Sequence, residues 1–332
     1  MSLGARVATS AAEVAELAPR WEDLARRAAC RSPFQSPAWV SAWLAHLGCG
    51  AEPLVIEVRD GDRTVGVVPL ARTAGNGAVR FAGCPLNDRN GAVAAPSDLG
   101  PVWSAALGAL ADAVPGATLE VEDLAPEDAA VLAGAAVEPL APTPSPVLPL
   151  SGDRARGTFT RKHLQNLRRQ ERALAAEHGP LAFWVDRGDA LLAEDLVAFC
   201  ALRRSRWRAT GELGRLAPVE RGEELDAFLV AWARGPAAGG TPALARLFAG
   251  DRCAAAHLCV EWGGTVLVYM TAHDPALRRH GPGTLCHLAT IDWAIREGRL
   301  VYDFGRGDEP YKYALGARPR DLPGVRISLG PA

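Results

Sequence analysis

The sequence predicts an α/β (α+β) protein of two lobes, each a mixed, mostly antiparallel sheet flanked by helices. Three observations predict it. The chain has 332 residues, too many for one ordinary core and suited to two domains of about 150 residues each. Near its middle, Pro142, Pro144, Pro146 and Pro149 read as a stiff extended connector. On either side of that connector the order hairpin, helix, strand occurs once, a repeat of pattern without useful residue identity. The expected division is 1–150 and 151–332.

The elements follow in order. Ser10 and Glu13 form a capping-box pattern opening a helix through Trp21 and Leu24, interrupted or kinked at Pro19. Ser36-Pro37 opens a second helix carrying Trp39 and Trp43, with serine as N-cap and proline at the first helical position. Residues 54–58 and 64–68 flank Asp60-Gly61, a tight-turn signal for a hairpin. A strand near 79–82, the polar loop 87–91, a helix over 102–113 and a strand over 119–122 complete the first half. In the second, 160–178 reads as a helix with Leu164, Leu167 and Leu174 on one stripe and a dense arginine face opposite. Residues 257–261 and 266–271 flank Gly263-Gly264 as another hairpin, followed by a helix over 284–297 and a short strand over 300–304.

Composition narrows the class. A hydrophobic fraction of 48% suits a globular protein, and the net charge of -2 argues against wholesale nucleic-acid coating. No signal-type apolar region or run of ~18 apolar residues is visible, so a cytoplasmic protein without membrane contact is expected. Seven cysteines show no CxxC spacing, and no His/Cys spacing matches a ligand set, so buried free thiols and no metal are expected. Cys286 and His287, adjacent in a helix, point about 100° apart, which disfavours a thiol nucleophile. Lysine occurs only at 162 and 312, and three of the four tyrosines fall between 302 and 313. That segment concentrates donors of long reach.

The chemistry-bearing turn is Arg278-Arg279-His280-Gly281-Pro282-Gly283-Thr284, where a strand hands over to a helix. Backbone N–H groups at such a turn, with the partial positive charge of a helix N-terminus, suit a pyrophosphate. Gly281 and Gly283 let the backbone approach a ligand closely. An ordinary glycine-proline turn is the alternative. The corresponding stretch of the first half, Ser97 to Pro101, lacks the basic residues and carries Asp98, so a nucleotide-bearing donor belongs to the second lobe.

Arg278-x-x-Gly281-x-Gly283 resembles the coenzyme A pyrophosphate motif of the GNAT acyltransferase superfamily. Residues 272–275 and 302–312, with Phe34-Gln35-Ser36-Pro37-Ala38-Trp39 and the hairpin end 66–70, are similar to its cellulose-biosynthesis-associated (CelD/BcsL-type) branch. The resemblance implies tandem GNAT-like lobes as in Fem-type aminoacyl transferases, acyl-CoA as donor in the C-terminal lobe, and an acceptor between lobes. Where that branch often has a Ser-Asp-Tyr-like stretch this chain has Leu86-Asn87-Asp88-Arg89-Asn90, so only Asp88 carries over.

An amine acceptor must lose a proton before attack, which at pH 7 costs about 4 to 5 kcal/mol for an alkyl ammonium. Asp303, Asp88 and His273 are the candidate bases. A strand-end cap or a partner for Arg306 is the alternative for Asp303, turn chemistry for Asp88, and a satisfied loop histidine for His273. Tyr269, Tyr311 and Lys312 are candidate donors to the oxyanion and the leaving group. Core packing is the alternative for Tyr269 and a solvated tail for Lys312. Arg278, Arg279, Gly281, Gly283 and Thr284 are the expected donor-binding set; Arg203, Arg206 and Trp207 form a second basic-aromatic group. Three functions compete: an N-acyltransferase using acyl-CoA on a small-molecule amine, an aminoacyl-tRNA-dependent amide-forming transferase contacting tRNA through the 161–172 arginine face, and a catalytically silent binding protein of the same fold.

Overall fold

The structure, a computed structural model, describes residues 3–28, 32–73, 77–134, 137–150, 161–210, 223–235 and 240–330, and side chains from 165 in the helix that begins at 161. Leu164 of the expected stripe, Lys162 and Thr160 at the expected helix start thus lie outside the described side chains or residues. The chain divides into two compact units that interleave along the sequence. The first comprises Met1–Thr143, Ala227–Gly240 and Asp321–Ala332; the second comprises Pro144–Asp226 and Thr241–Arg320. The chain passes between the units at 143/144, 226/227, 240/241 and 320/321.

The first unit runs β1 (Gly4–Ala8), α1 (Ala11–Arg27), α2 (Pro37–His46), β2 (Glu52–Asp60), β3 (Arg63–Arg72), β4 (Val79–Phe81), β5 (Val93–Ala94), α3 (Leu99–Ala113), β6 (Thr118–Val121), α4 (Pro126–Leu132) and β7 (Glu138–Pro144). Its sheet has the order β1-β2-β3-β4-β6-β14-β7 with β5 beside β3, where β14 (Asp321–Ser328) comes from the far end of the sequence. Local chemistry explains the starts. Ser10 accepts from the Glu13 amide and Ser36 from the Trp39 amide, each satisfying a first-turn donor. Of the interruption or kink expected at Pro19, there is no interruption: α1 continues through it. Trp103 of α3, edge-on to Phe81, belongs with Leu54, Ile56, Val68 and Leu119 to one buried apolar cluster.

The polar loop 87–91 turns inward. Asn87 accepts from Trp39 Nε1 at 2.8 Å and donates to the Ala82 carbonyl, while Asn90 donates to the Glu122 carbonyl. Gln35 Nε2 donates to the Arg89 carbonyl. The loop is a buried, mutually satisfied polar knot, the form in which polar groups tolerate burial.

The second unit contains β8 (Val147–Pro149), α5 (Arg161–His178), β9 (Leu181–Arg187), α6 (Ala193–Thr210), β10 (Thr241–Ala249), β11 (Arg252–Trp262), β12 (Thr265–His273), α8 (Pro282–Arg296), β13 (Val301–Asp303) and α9 (Pro310–Ala314); α7 (Glu224–Ala233) carries the chain back into the first unit. Its sheet has the order β8-β13-β12-β11-β10-β9. Every pairing is antiparallel except β12 with β13. The proline-rich connector is extended, as its composition predicts, but its strands β7 and β8 pair into different sheets. Leu167 and Leu174 of α5 are buried against Leu247, Leu277 and Leu285. The two mixed, mostly antiparallel sheets with flanking helices are the architecture the sequence predicts.

Candidate active site

The site starts from a fork in the second sheet. β12 and β13 pair only at Thr265–Val301, Val266–Tyr302 and Leu267–Asp303, after which β13 ends and β12 continues to His273. Among the described residues, no strand therefore pairs with β12 from Val268 to His273 on its β13 side. A bulge falls on the same stretch: Leu258 pairs with Met270 and Cys259 with Val268, leaving Tyr269 as the extra residue. Bulges bend a strand and re-aim its side chains.

Beyond the fork, a short 3₁₀ turn over Pro275–His280 leads to Gly281, which sits at φ 60° and ψ 43° as N-cap of α8. Glycine adopts that left-handed conformation without strain. The Gly281 amide donates to the Arg278 carbonyl and Pro282 has no N–H, so of the four residues expected to converge on a diphosphate, Gly283 and Thr284 contribute amides. A Cβ at Gly283 would meet only His273 Nδ1 within 4 Å, at 3.8 Å. Space lies open beside these donors, and exposed Arg278 stands next to them. The turn thus fits a phosphate-bearing donor.

Arg203 and Arg206 of α6 reach the fork. Both donate to the Thr271 carbonyl, at 3.0 and 3.4 Å, and Arg206 also to the Thr271 hydroxyl at 3.3 Å. The Arg203 guanidinium lies over the Trp207 ring at 4.5 Å. His273 is partly buried, and burial, then Arg206 and Arg278, lower its pKa, so it stands neutral with a lone pair at pH 7. Burial, then the Glu309 carboxylate, raise the Tyr311 phenol, which stays protonated and able to donate. His273 and Tyr311 both belong to the second unit; a neutral imidazole can accept a proton and a protonated phenol can donate one.

Residues 161–313 match the family model described as "Acetyltransferase (GNAT) domain". Over these residues the chain is similar to GNAT acetyltransferase domains. The protein is an acyltransferase, and its fold is that of tandem GNAT-like lobes. Solved structures of similar fold include FemX, 12% identical with a TM-score of 0.64, covering 99% of this chain and 97% of that one. A tandem GNAT protein from the clavulanic acid biosynthesis pathway is 18% identical with a TM-score of 0.53, covering 99% of both chains. L-PGS from Bacillus licheniformis is 12% identical with a TM-score of 0.62, covering 92% of this chain and 90% of that one. At such identities the likeness is one of fold. No curated protein matches the sequence.

The remaining expected site residues take different places. Asp303 is buried at the end of β13, accepting from the Gly305 amide at 3.0 Å and from Arg320 at 2.7 Å. It takes the strand-end cap position the sequence left open, with Arg320 as an ion partner. Lys312 is no solvated tail: it is 1% exposed, and its ammonium donates to the Gly305, Arg306 and Gly307 carbonyls and pairs with Glu309 at 2.9 Å. Three carbonyls and a carboxylate commit this cation to holding the loop. Tyr269 is buried at the bulge. Arg279 pairs with Glu177 of α5 and donates to His280 Nε2. Asp88 belongs to the first unit, buried in the polar knot.

Sequence reasoning missed a histidine pair beneath the fork. His257 of β11 and His287 of α8 are buried with ring centroids 4.1 Å apart. His287 Nδ1 lies 2.9 Å from the Tyr302 hydroxyl, and the Tyr311 ring is 5.2 Å away. Burial first, then His273 and Arg206, push His257 down to about 3; burial, then His257 and Lys312, push His287 well below its ordinary value. The pair is thus uncharged at neutral pH. Thirty residues separate the two in sequence, and no spacing rule connects a strand residue to a helix residue at that distance.

Proposed function

We propose that the protein is an N-acyltransferase that moves an acyl group from acyl-CoA to the amine of a small-molecule or biosynthetic acceptor. The open pair of amides at Gly283 and Thr284, beside space that a side chain would fill, carries this reading. Those amides and Arg278 hold the donor's diphosphate, and the unpaired edge of β12 gives the donor's amide-bearing arm backbone partners. Neutral His273 accepts the ammonium proton. The freed amine attacks the thioester carbonyl, the C–S bond breaks as the Tyr311 hydroxyl gives its proton to the departing thiolate, and the extra proton on the acylated nitrogen returns to the Tyr311 oxygen, leaving a neutral amide and a free thiol. The likeness of residues 302–312 to the cellulose-associated branch supports a biosynthetic acceptor.

Calorimetry with coenzyme A and acetyl-CoA tests the reading. The expected result is saturable binding that Gly283→Trp abolishes while the circular dichroism of the protein is unchanged. Absence of binding at millimolar ligand to folded protein sinks it.

A second reading, an aminoacyl-tRNA-dependent amide-forming transferase, is favoured by the exposed Arg168, Arg169 and Arg172 face of α5 and by the FemX-like fold. It requires a gel shift with total tRNA that weakens steeply with salt. No shift at low salt removes it.

A further inference from the structure

We propose that Glu177, His178 and His280 form a binding site for a divalent transition metal of the zinc class, in competition with Arg279. Glu177 and His178 end α5, and His280 ends the 3₁₀ turn that leads into Gly281. Their donor atoms all lie within 4.8 Å of one another. Glu177 Oε2 is 3.6 Å from His280 Nε2 and 4.0 Å from His178 Nε2. Donors about 2.1 Å from a tetrahedral zinc are roughly 3.3 Å apart, so side-chain adjustments of about an ångström or less bring the two measured pairs to that spacing. Two imidazoles and a carboxylate are a donor set for zinc, cobalt or nickel, with a position left for water.

Two further observations point the same way. Arg279 Nε donates to His280 Nε2 at 3.0 Å, and a guanidinium only donates, so the metal-facing nitrogen of His280 already carries its lone pair. His280 is 4% exposed and needs little ordering. The carbonyl end of α5 adds a field favourable to a cation. What opposes the metal is Arg279, bound to both Glu177 and His280. Its side chain is 69% exposed and has solvent to swing into. Metal and guanidinium therefore exclude each other, and a bound metal ties the end of α5 to the donor-binding turn while releasing Arg279 beside it. That last consequence rests on the acyl-CoA reading; the metal site does not. Sequence spacing does not bring these residues together, because 177 and 280 meet only in the fold.

The test is cobalt titration of the chelator-treated full-length protein, followed by visible and near-ultraviolet absorption, then displacement by zinc. One equivalent should bind with ligand-field bands and without the charge-transfer band of thiolate ligation. His178→Ala and Glu177→Gln, both at accessible positions, should each weaken binding by about tenfold or more, and Arg279→Ala should tighten it. No cobalt bands, thiolate charge transfer, unchanged affinity in His178→Ala, or weaker binding in Arg279→Ala each overturns the proposal.

Discussion

The His257 and His287 rings lie 4.1 Å apart, tilted by 45°, inside the second unit, and burial is the first reason both resist protonation. Unfolded, each has a pKa near 6.5; folded, His257 is pushed down to about 3. Between those values the unfolded chain binds a proton that the native chain refuses, so stability falls as the pH falls. The slope is about 1.4 kcal/mol per pH unit for each such histidine, and it is absent above about pH 7. Urea melts at pH 7 and pH 5 should show this loss, and His257→Leu should reduce it. An unchanged slope in His257→Leu would mean that the imidazole titrates freely in the native state. At this scale the sequence was a partial guide. Arg278 and the glycines were legible because strand, turn and helix are contiguous. The His257–His287 contact and the Asp303–Arg320 ion pair were not, because pairing across the sheet supplies the partners.

The loop between β13 and α9 is held by one cation. Lys312 Nζ donates to the Gly305, Arg306 and Gly307 carbonyls at 3.2, 2.7 and 3.1 Å. Lys312→Met leaves those acceptors without their donor and should cost about 3 kcal/mol, read as a lower denaturant midpoint. Lys312→Arg should not restore the loss, because a planar fork cannot make three converging bonds at the point an ammonium occupies. Full stability in Lys312→Met would leave the loop clamp without support. Capped helices and glycine-turn hairpins were legible because their signals are local. β1, β9 and β10 were not: none carries clean alternation, and β9 is an edge strand with Trp184 exposed. The parallel β12–β13 pairing, which creates the fork, joins residues more than thirty positions apart.

Across the whole molecule, the interleaving of units decides how damage spreads. β14 lies between β6 and β7 in the first sheet, pairing Val325 with Val121 and Ile327 with Leu119. Deleting residues 321–332 removes a strand from that sheet without touching the second unit's six. Hydrogen exchange should accelerate over 118–121 and 138–144 and stay slow over 252–273. Retained protection at 118–121 would contradict the placement of β14. Among the described residues no helix is long and apolar enough to cross a membrane. Two lobes were legible from length, prolines and repeated pattern, but the returns at 227–240 and 321–332 were not, since composition does not mark which sheet a strand joins.

The position of β14 also bears on how the protein is made. A ribosome delivers residues 144–320, with every strand of the second sheet, before it delivers the strand at 321–328 that the first sheet needs. Synthesis from the N-terminus ordinarily lets the leading domain fold first. Here the lobe translated second can finish first, and the leading lobe must wait with an unfilled gap in its hydrogen-bond ladder.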